Sequence, residues 1–200
     1  ELYRYCEIAR AMLVGKHGVG RVIARPFNGE YPFARTSNRH DFSLLPPSDT
    51  MLNLLKEEGY ETISVGKIYD IFAGSGLSES NRTASNAHGM QVAKEMQNRD
   101  FSGLCFINLV DFDMKYGHRN DVKGYAAAST EFDNFLTDFL KDMKRDDVLL
   151  ITADHGCDPA TPSTDHSREY TPMLICGDAI KSGVNLGTRK TFADISATVL

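Results

Sequence analysis

The chain has 200 residues, of which 42% are hydrophobic and 10% aromatic. A chain of this length buries roughly 70% of its unfolded surface, enough for one self-supporting core with an attached piece of a second. Its 22 basic against 27 acidic residues give a net charge of −5, which excludes the basic footprint of a nucleic-acid binder and a polybasic membrane-surface segment. A small-molecule partner is expected.

Apolar runs such as 148–153 fall far short of the roughly 18 residues that a membrane span needs, and no basic-then-apolar leader opens the chain. A soluble, cytoplasmic protein is expected. The four cysteines, Cys6, Cys105, Cys157 and Cys176, form no C-x-x-C pair. They sit mostly inside apolar runs, as small buried hydrophobes do, so a disulfide framework is not expected. The chain opens on Glu1 and stops at Leu200 inside an amphipathic helix that starts near Thr191, which is the pattern expected of a fragment.

In chain order, residues 3–13 read as a helix, followed by the apolar-basic run 18–25 and a loop rich in Arg, Asn and aromatic residues through Phe42. Residues 1–45 are expected to form part of a small separate domain, joined at a Leu45-Pro46-Pro47 hinge to a second domain over 46–200. Ser48 or Asp49 can cap a short helix with Met51, Leu52, Leu54 and Leu55 on one face and Gly59 at its C-terminal end. A strand over 60–65, a helix over 85–97, a strand over 104–110, a long helix over 125–143 and strands over 148–153 and 173–176 follow. The apolar strands suit a sheet covered by helices on both faces, so a layered, mostly parallel α/β sheet is expected. Gly74-Ser75-Gly76 is too short for a phosphate loop and reads as a turn.

Two strand ends carry chemistry. The strand over 148–153 leads into Asp154-His155-Gly156, and the strand over 104–110 leads into Asp111-Phe112-Asp113, with His118 a turn later. Ligand sites in open α/β sheets gather outside the carboxyl ends of strands. A further imidazole, His166, comes from a loop broken by Pro159 and Pro162. Mixed Asp and His donors suit Mn²⁺, Zn²⁺ or Fe²⁺ better than Ca²⁺. Two carboxylates with three imidazoles exceed what one open catalytic metal needs, so two metals fit better, and a metal pair points to phosphoryl transfer. Taken singly, either motif is more often a turn or cap. Asp111, Asp158 and Asp165 compete with Asp113 but are explained more simply by local Asx-turns. Cys157 reads as a spectator thiol rather than a zinc ligand, and His17, His40 and His88 as surface or loop residues.

The stretches GRVIARPF (20–27), SVGKIYDIFAG (64–74), NLVDFDMKYGHRND (108–121) and TADHGCDPATPSTDHSREYTPMLICG (152–177) resemble the alkaline phosphatase superfamily and, within it, the prokaryotic-type phosphopentomutase family. The resemblance implies a partial alkaline phosphatase-like layered core over 46–200, with 1–45 as the end of an inserted α/β cap domain. It implies an isomerase that moves phosphate between C1 and C5 of ribose or 2-deoxyribose in nucleoside catabolism, using two Mn²⁺ (Zn²⁺ or another divalent metal in their place), a phosphothreonine and a sugar bisphosphate activator. By the same resemblance Asp113, His118 and His166 hold one metal, Asp154 and His155 contribute to the other, and Arg21, Ile23 and Lys67 hold the sugar phosphate. On spacing alone, Arg21 and Lys67 read as solvated charges. The family's threonine nucleophile and a further Asp ligand come from an earlier segment with no counterpart here, so these residues alone are expected to be inactive as a mutase. The rival expectations are a cofactor-independent phosphoglycerate mutase or phosphatase of the same superfamily, and a non-catalytic metal-binding module.

Overall fold

The computed structural model describes residues 1–36 and 38–200, in two compact units. Unit 1 comprises residues 1–81 with 102–106, and unit 2 comprises 82–101 with 107–200. The hinge expected at 45–47 falls inside unit 1, in the connection between a strand and a helix.

Unit 1 opens with α1 (Leu2–Met12), which is mostly exposed and buries Cys6. Strand β1 (Arg21–Ala24) and, after the small hairpin of β2 (Phe27–Asn28) and β3 (Ala34–Arg35), β4 (His40–Ser43) form an antiparallel ribbon. The Tyr3 ring of α1 lies against His40 and Phe42 of that ribbon.

Helix α2 (Met51–Glu57) starts at Thr50, where Thr50 and Asn53 form a reciprocal capping box. The cap is therefore Thr50 and not Ser48 or Asp49, because only Thr50 places a matching amide side chain three residues on. Gly59, at φ +86°, ends this helix as expected. Strand β5 (Glu61–Val65) lies between β6 (Glu79–Asn81) and β7 (Gly103–Ile107), and β5 and β6 run parallel. Thr62, Ile63, Ser64 and Val65 are fully buried. The two buried hydroxyls are satisfied, Thr62 donating to the Gly76 carbonyl at 2.6 Å and Ser64 to the Glu79 carbonyl at 3.1 Å. Leu52, Leu77 and Ile68 of α3 (Ile68–Phe72) form the core beside β5, with Phe72 and Phe106 packed against it.

Unit 2 contains α4 (Asn86–Gln97), capped by Ser85, and α5 (Val122–Lys141), capped by Asp121. Strands β8 (Leu149–Thr152) and β9 (Met173–Cys176) pair antiparallel, and α6 (Ala193–Val199) closes the chain. The architecture is mixed α/β, but the mostly parallel arrangement expected from the sequence does not extend to β8 and β9. A four-residue apolar strand carries no directional information, and the connection over 153–172 returns the chain so that Thr152 pairs with Met173. Cys176 is exposed, contrary to its reading as a buried hydrophobe, because alternate residues of β9 face outward. None of the four cysteines is in a disulfide. No helix among the described residues is long and apolar enough to cross a membrane.

Candidate metal centre

Asp113 stands on a single π-helical turn, Phe112–Tyr116, which passes directly into a 3₁₀ turn, Gly117–Arg119, carrying His118. Such one-turn π segments re-aim side chains at functional positions. Gly117 is buried here, and a methyl group on it would lie 2.3 Å from Cys157 Sγ. The tight junction between the two turns therefore requires glycine.

His166 reaches the same place from a loop. Beyond β8, Gly156 forms an isolated antiparallel bridge with Ser167, whose N–H donates to the Gly156 carbonyl at 3.1 Å. Ser167 Oγ also accepts from the Asp158 N–H at 2.7 Å. The chain thus leaves and returns at one point, and this lays the His166 ring on His155, with centroids 3.5 Å apart and planes at 11°.

The result is a cluster of three donors. Asp113 Oδ1 lies 3.2 Å from His118 Nε2 and 3.4 Å from His166 Nε2. One ligand atom from each of the three falls within 4.8 Å of the others. Ligands about 2.1 Å from one ion stand about 3–3.5 Å apart, so the spacing matches a shared cation.

Two observations test whether these residues fit a metal. Asp113 Oδ1 is buried and has no hydrogen-bond partner, a condition that costs free energy unless a positive group completes it. His118 Nδ1 lies 2.5 Å from the Thr164 carbonyl. A carbonyl only accepts, so Nδ1 carries a proton, and Nε2, the nitrogen near Asp113, is the ring's ligating atom. A carbonyl that fixes the tautomer from behind the ring is the usual companion of a ligating histidine. The residues fit a divalent ion on both counts.

His155 follows the same pattern, with Nδ1 2.9 Å from the Gly156 carbonyl and Nε2 3.7 Å from Asp154 Oδ1. Asp154 and His155 form a separate pair beside the triad, and Asp154 is largely exposed. Asp111 is not a donor in this cluster. Its buried carboxylate accepts from the Asn86 N–H at 2.8 Å and from Lys115 Nζ at 3.1 Å, while its own N–H donates to Asn86 Oδ1 at 2.8 Å. It anchors the start of α4 rather than forming an Asx-turn. Asp158 does form one, accepting from the Ala160 N–H. Burial, with Asp113, Asp158 and Glu169 nearby, pushes the Cys157 thiol up. Burial likewise raises the Tyr125 phenol, with Cys157 and Asp113 adding to it.

Arg21, Ile23 and Lys67 all belong to unit 1. The β1–β4 register sets Arg21 opposite Ser43 and Ile23 opposite Asp41, which puts the four side chains on one face of the ribbon. Arg21 Nη1 lies 3.4 Å from Asp41 Oδ2, and the charge of Lys67 also acts on Asp41. Asp41 is the residue that the sequence reading missed. Its carboxylate, 8% exposed, is gripped by Arg39 through two hydrogen bonds of 2.8 Å. Burial pushes the Asp41 carboxyl up, but the Arg39 hydrogen bonds and the charges of Arg39, Arg21 and Lys67 outweigh it and hold the group below the ordinary carboxylate value. The same hydrogen bonds raise Arg39.

A family model described as the Metalloenzyme superfamily matches residues 13–200. The chain is 64% identical over 201 residues to a phosphopentomutase of Lachnoclostridium phytofermentans, covering all of this chain and 52% of that protein. It is 57% identical over 200 residues to a phosphopentomutase of Carboxydothermus hydrogenoformans, covering all of the chain and 52% of the relative. A phosphopentomutase of Caldanaerobacter subterraneus subsp. tengcongensis is 56% identical over 200 residues, again with the whole chain covered and 51% of the relative. The chain spans about half the length of the curated relatives it matches.

Proposed function

The chain belongs to the Metalloenzyme superfamily, and from that premise we propose that it supplies the metal-binding half of a phosphopentomutase, an isomerase that interconverts the 1- and 5-phosphates of ribose or 2-deoxyribose. The observation that carries the proposal is Asp113 Oδ1, buried without a hydrogen bond and faced by two imidazole nitrogens, in a chain 64% identical to a protein of that name. Asp113, His118 and His166 hold one divalent metal, Mn²⁺ in this reading, and Asp154 and His155 contribute to a second. When bound, such ions supply positive charge for a phosphoryl group in transit and acidify an attacking oxygen.

The protein's own main-chain and side-chain groups do the rest. The Thr164 and Gly156 carbonyls hold protons on His118 Nδ1 and His155 Nδ1, so that both Nε2 atoms stay free to ligate. Arg21 and Lys67 bind the sugar phosphate, the guanidinium offering a planar fork and the ammonium a point charge, while Ile23 provides an apolar contact beside them. The threonine that carries the phosphoryl group, and one further aspartate ligand, are assigned to the remaining half of a longer protein. The relatives' length supports this division.

The test is an assay of the full-length protein with Mn²⁺ and a sugar bisphosphate, comparing ribose 5-phosphate with 3-phosphoglycerate. Interconversion of the ribose phosphates is expected. Turnover of 3-phosphoglycerate alone, or release of inorganic phosphate alone, overturns the proposal in favour of another activity of the superfamily.

A further inference from the structure

We propose that Asn120 is a positioning residue for the metal centre, its side-chain amide holding the loop that carries His166 against the turn that carries His118. The proposal rests on the reading of Asp113, His118 and His166 as metal ligands.

Residues 158–165 contain two prolines and belong to no helix or strand. Their own contacts are short-range: the Ala160 N–H donates to Asp158 Oδ1, Thr161 Oγ1 to the Asp158 carbonyl, and the Asp165 N–H to Ser163 Oγ. These shape the loop but do not attach it to anything. Attachment comes from the 117–120 turn, through the His118 ring on the Thr164 carbonyl and through Asn120. The Asn120 amide nitrogen lies 3.3 Å from the Pro159 carbonyl, 2.5 Å from that of Thr161 and 3.1 Å from that of Ser163. The loop runs through a turn at 159–160 and bends at 161–162 and 164–165, and this curvature lets three of its carbonyls converge on a single two-hydrogen donor.

The position makes a double demand. Its backbone is left-handed, φ +52°, where Asn is tolerated and most residues are strained. Its side chain must also donate, and reach across to the loop. Gly meets only the first demand and Asp meets the first without the donor. The loop ends at His166, whose Nε2 stands 3.4 Å from Asp113 Oδ1. Loosening the loop therefore acts on His166, which the Gly156–Ser167 bridge holds from one side and this loop from the other. Groups that orient metal ligands in this way typically change affinity about 10–100-fold when removed.

The experiment uses the full-length protein as wild type, Asp113→Ala, Asn120→Gly and Asn120→Ala. Bound Mn²⁺ is counted by electron paramagnetic resonance during titration, and metal-free melting temperature is recorded for each. Asp113→Ala identifies the site that the triad forms. We expect Asn120→Gly to weaken that same site by about 10-fold or more, while its metal-free melting temperature stays near wild type. Asn120→Ala should weaken it similarly and also melt earlier, because it adds backbone strain. Either Asn120 variant folding with wild-type affinity at that site overturns the proposal, as does a loss of stability with no change in affinity. If wild type and Asp113→Ala bind Mn²⁺ identically, the triad is not a metal site, and the reading beneath the proposal fails first.

Discussion

Gly156 and Ser167 pair backbone to backbone across an excursion of ten residues, and that bridge is what stacks His155 on His166. A methyl group at Gly156 would stand 2.6 Å from the Ser167 carbonyl oxygen and 2.8 Å from the Glu169 nitrogen. Both are main-chain atoms and cannot swing aside. Gly156→Ala is therefore expected to destabilise the protein by about 1–3 kcal/mol and to part the two imidazoles. Thermal melting together with Mn²⁺ titration checks this, and both readouts should fall.

Asp111 gives a separable effect, since it sits two residues from Asp113 but turns the other way, into a reciprocal pair with Asn86. Asp111→Ala leaves the Asn86 N–H unpaired at the buried start of α4, at a cost of about 1–3 kcal/mol. Denaturant unfolding should show that loss. Asp111→Asn, which keeps an acceptor oxygen, is expected to restore part of it.

Asp41 predicts a dependence on pH. Its carboxyl is held below the ordinary value in the folded protein, so the stability it contributes is present above the ordinary carboxylate pKa and is lost as pH falls through the folded one. Comparing wild type with Asp41→Asn by melting at several pH values, the difference should be largest near neutrality and shrink below about pH 4. In the mutase assay Asp41→Asn should raise KM for the pentose phosphate more than it lowers kcat, since the anchored carboxylate orients Arg21.

Much of the local structure could be read from the chain because it is locally encoded. Ser85 before an apolar-periodic run announces α4, and Gly59 ends α2 with the backbone that glycine permits. The two strand-end motifs pointed to Asp113, His118, Asp154 and His155, and the loop after the second added His166; the structure brings ligand atoms of Asp113, His118 and His166 within 4.8 Å of one another. What escaped the sequence depends on distant partners. The π turn under Asp113 depends on the close approach of Gly117 to Cys157, forty residues on. Asn120 gains its meaning from carbonyls on another loop. Asp41 looks like any strand-edge carboxylate until the β1–β4 register sets it opposite Ile23 and within reach of Arg21. The antiparallel direction of β8 and β9 is likewise invisible in two short apolar runs.

The most direct measurement is anomalous scattering from Mn²⁺-soaked crystals of the full-length protein, recorded near the manganese edge. The account predicts a peak bonded to Asp113, His118 Nε2 and His166 Nε2, and its disappearance in Asp113→Ala. Strong manganese peaks elsewhere, with none at these three residues, would contradict it.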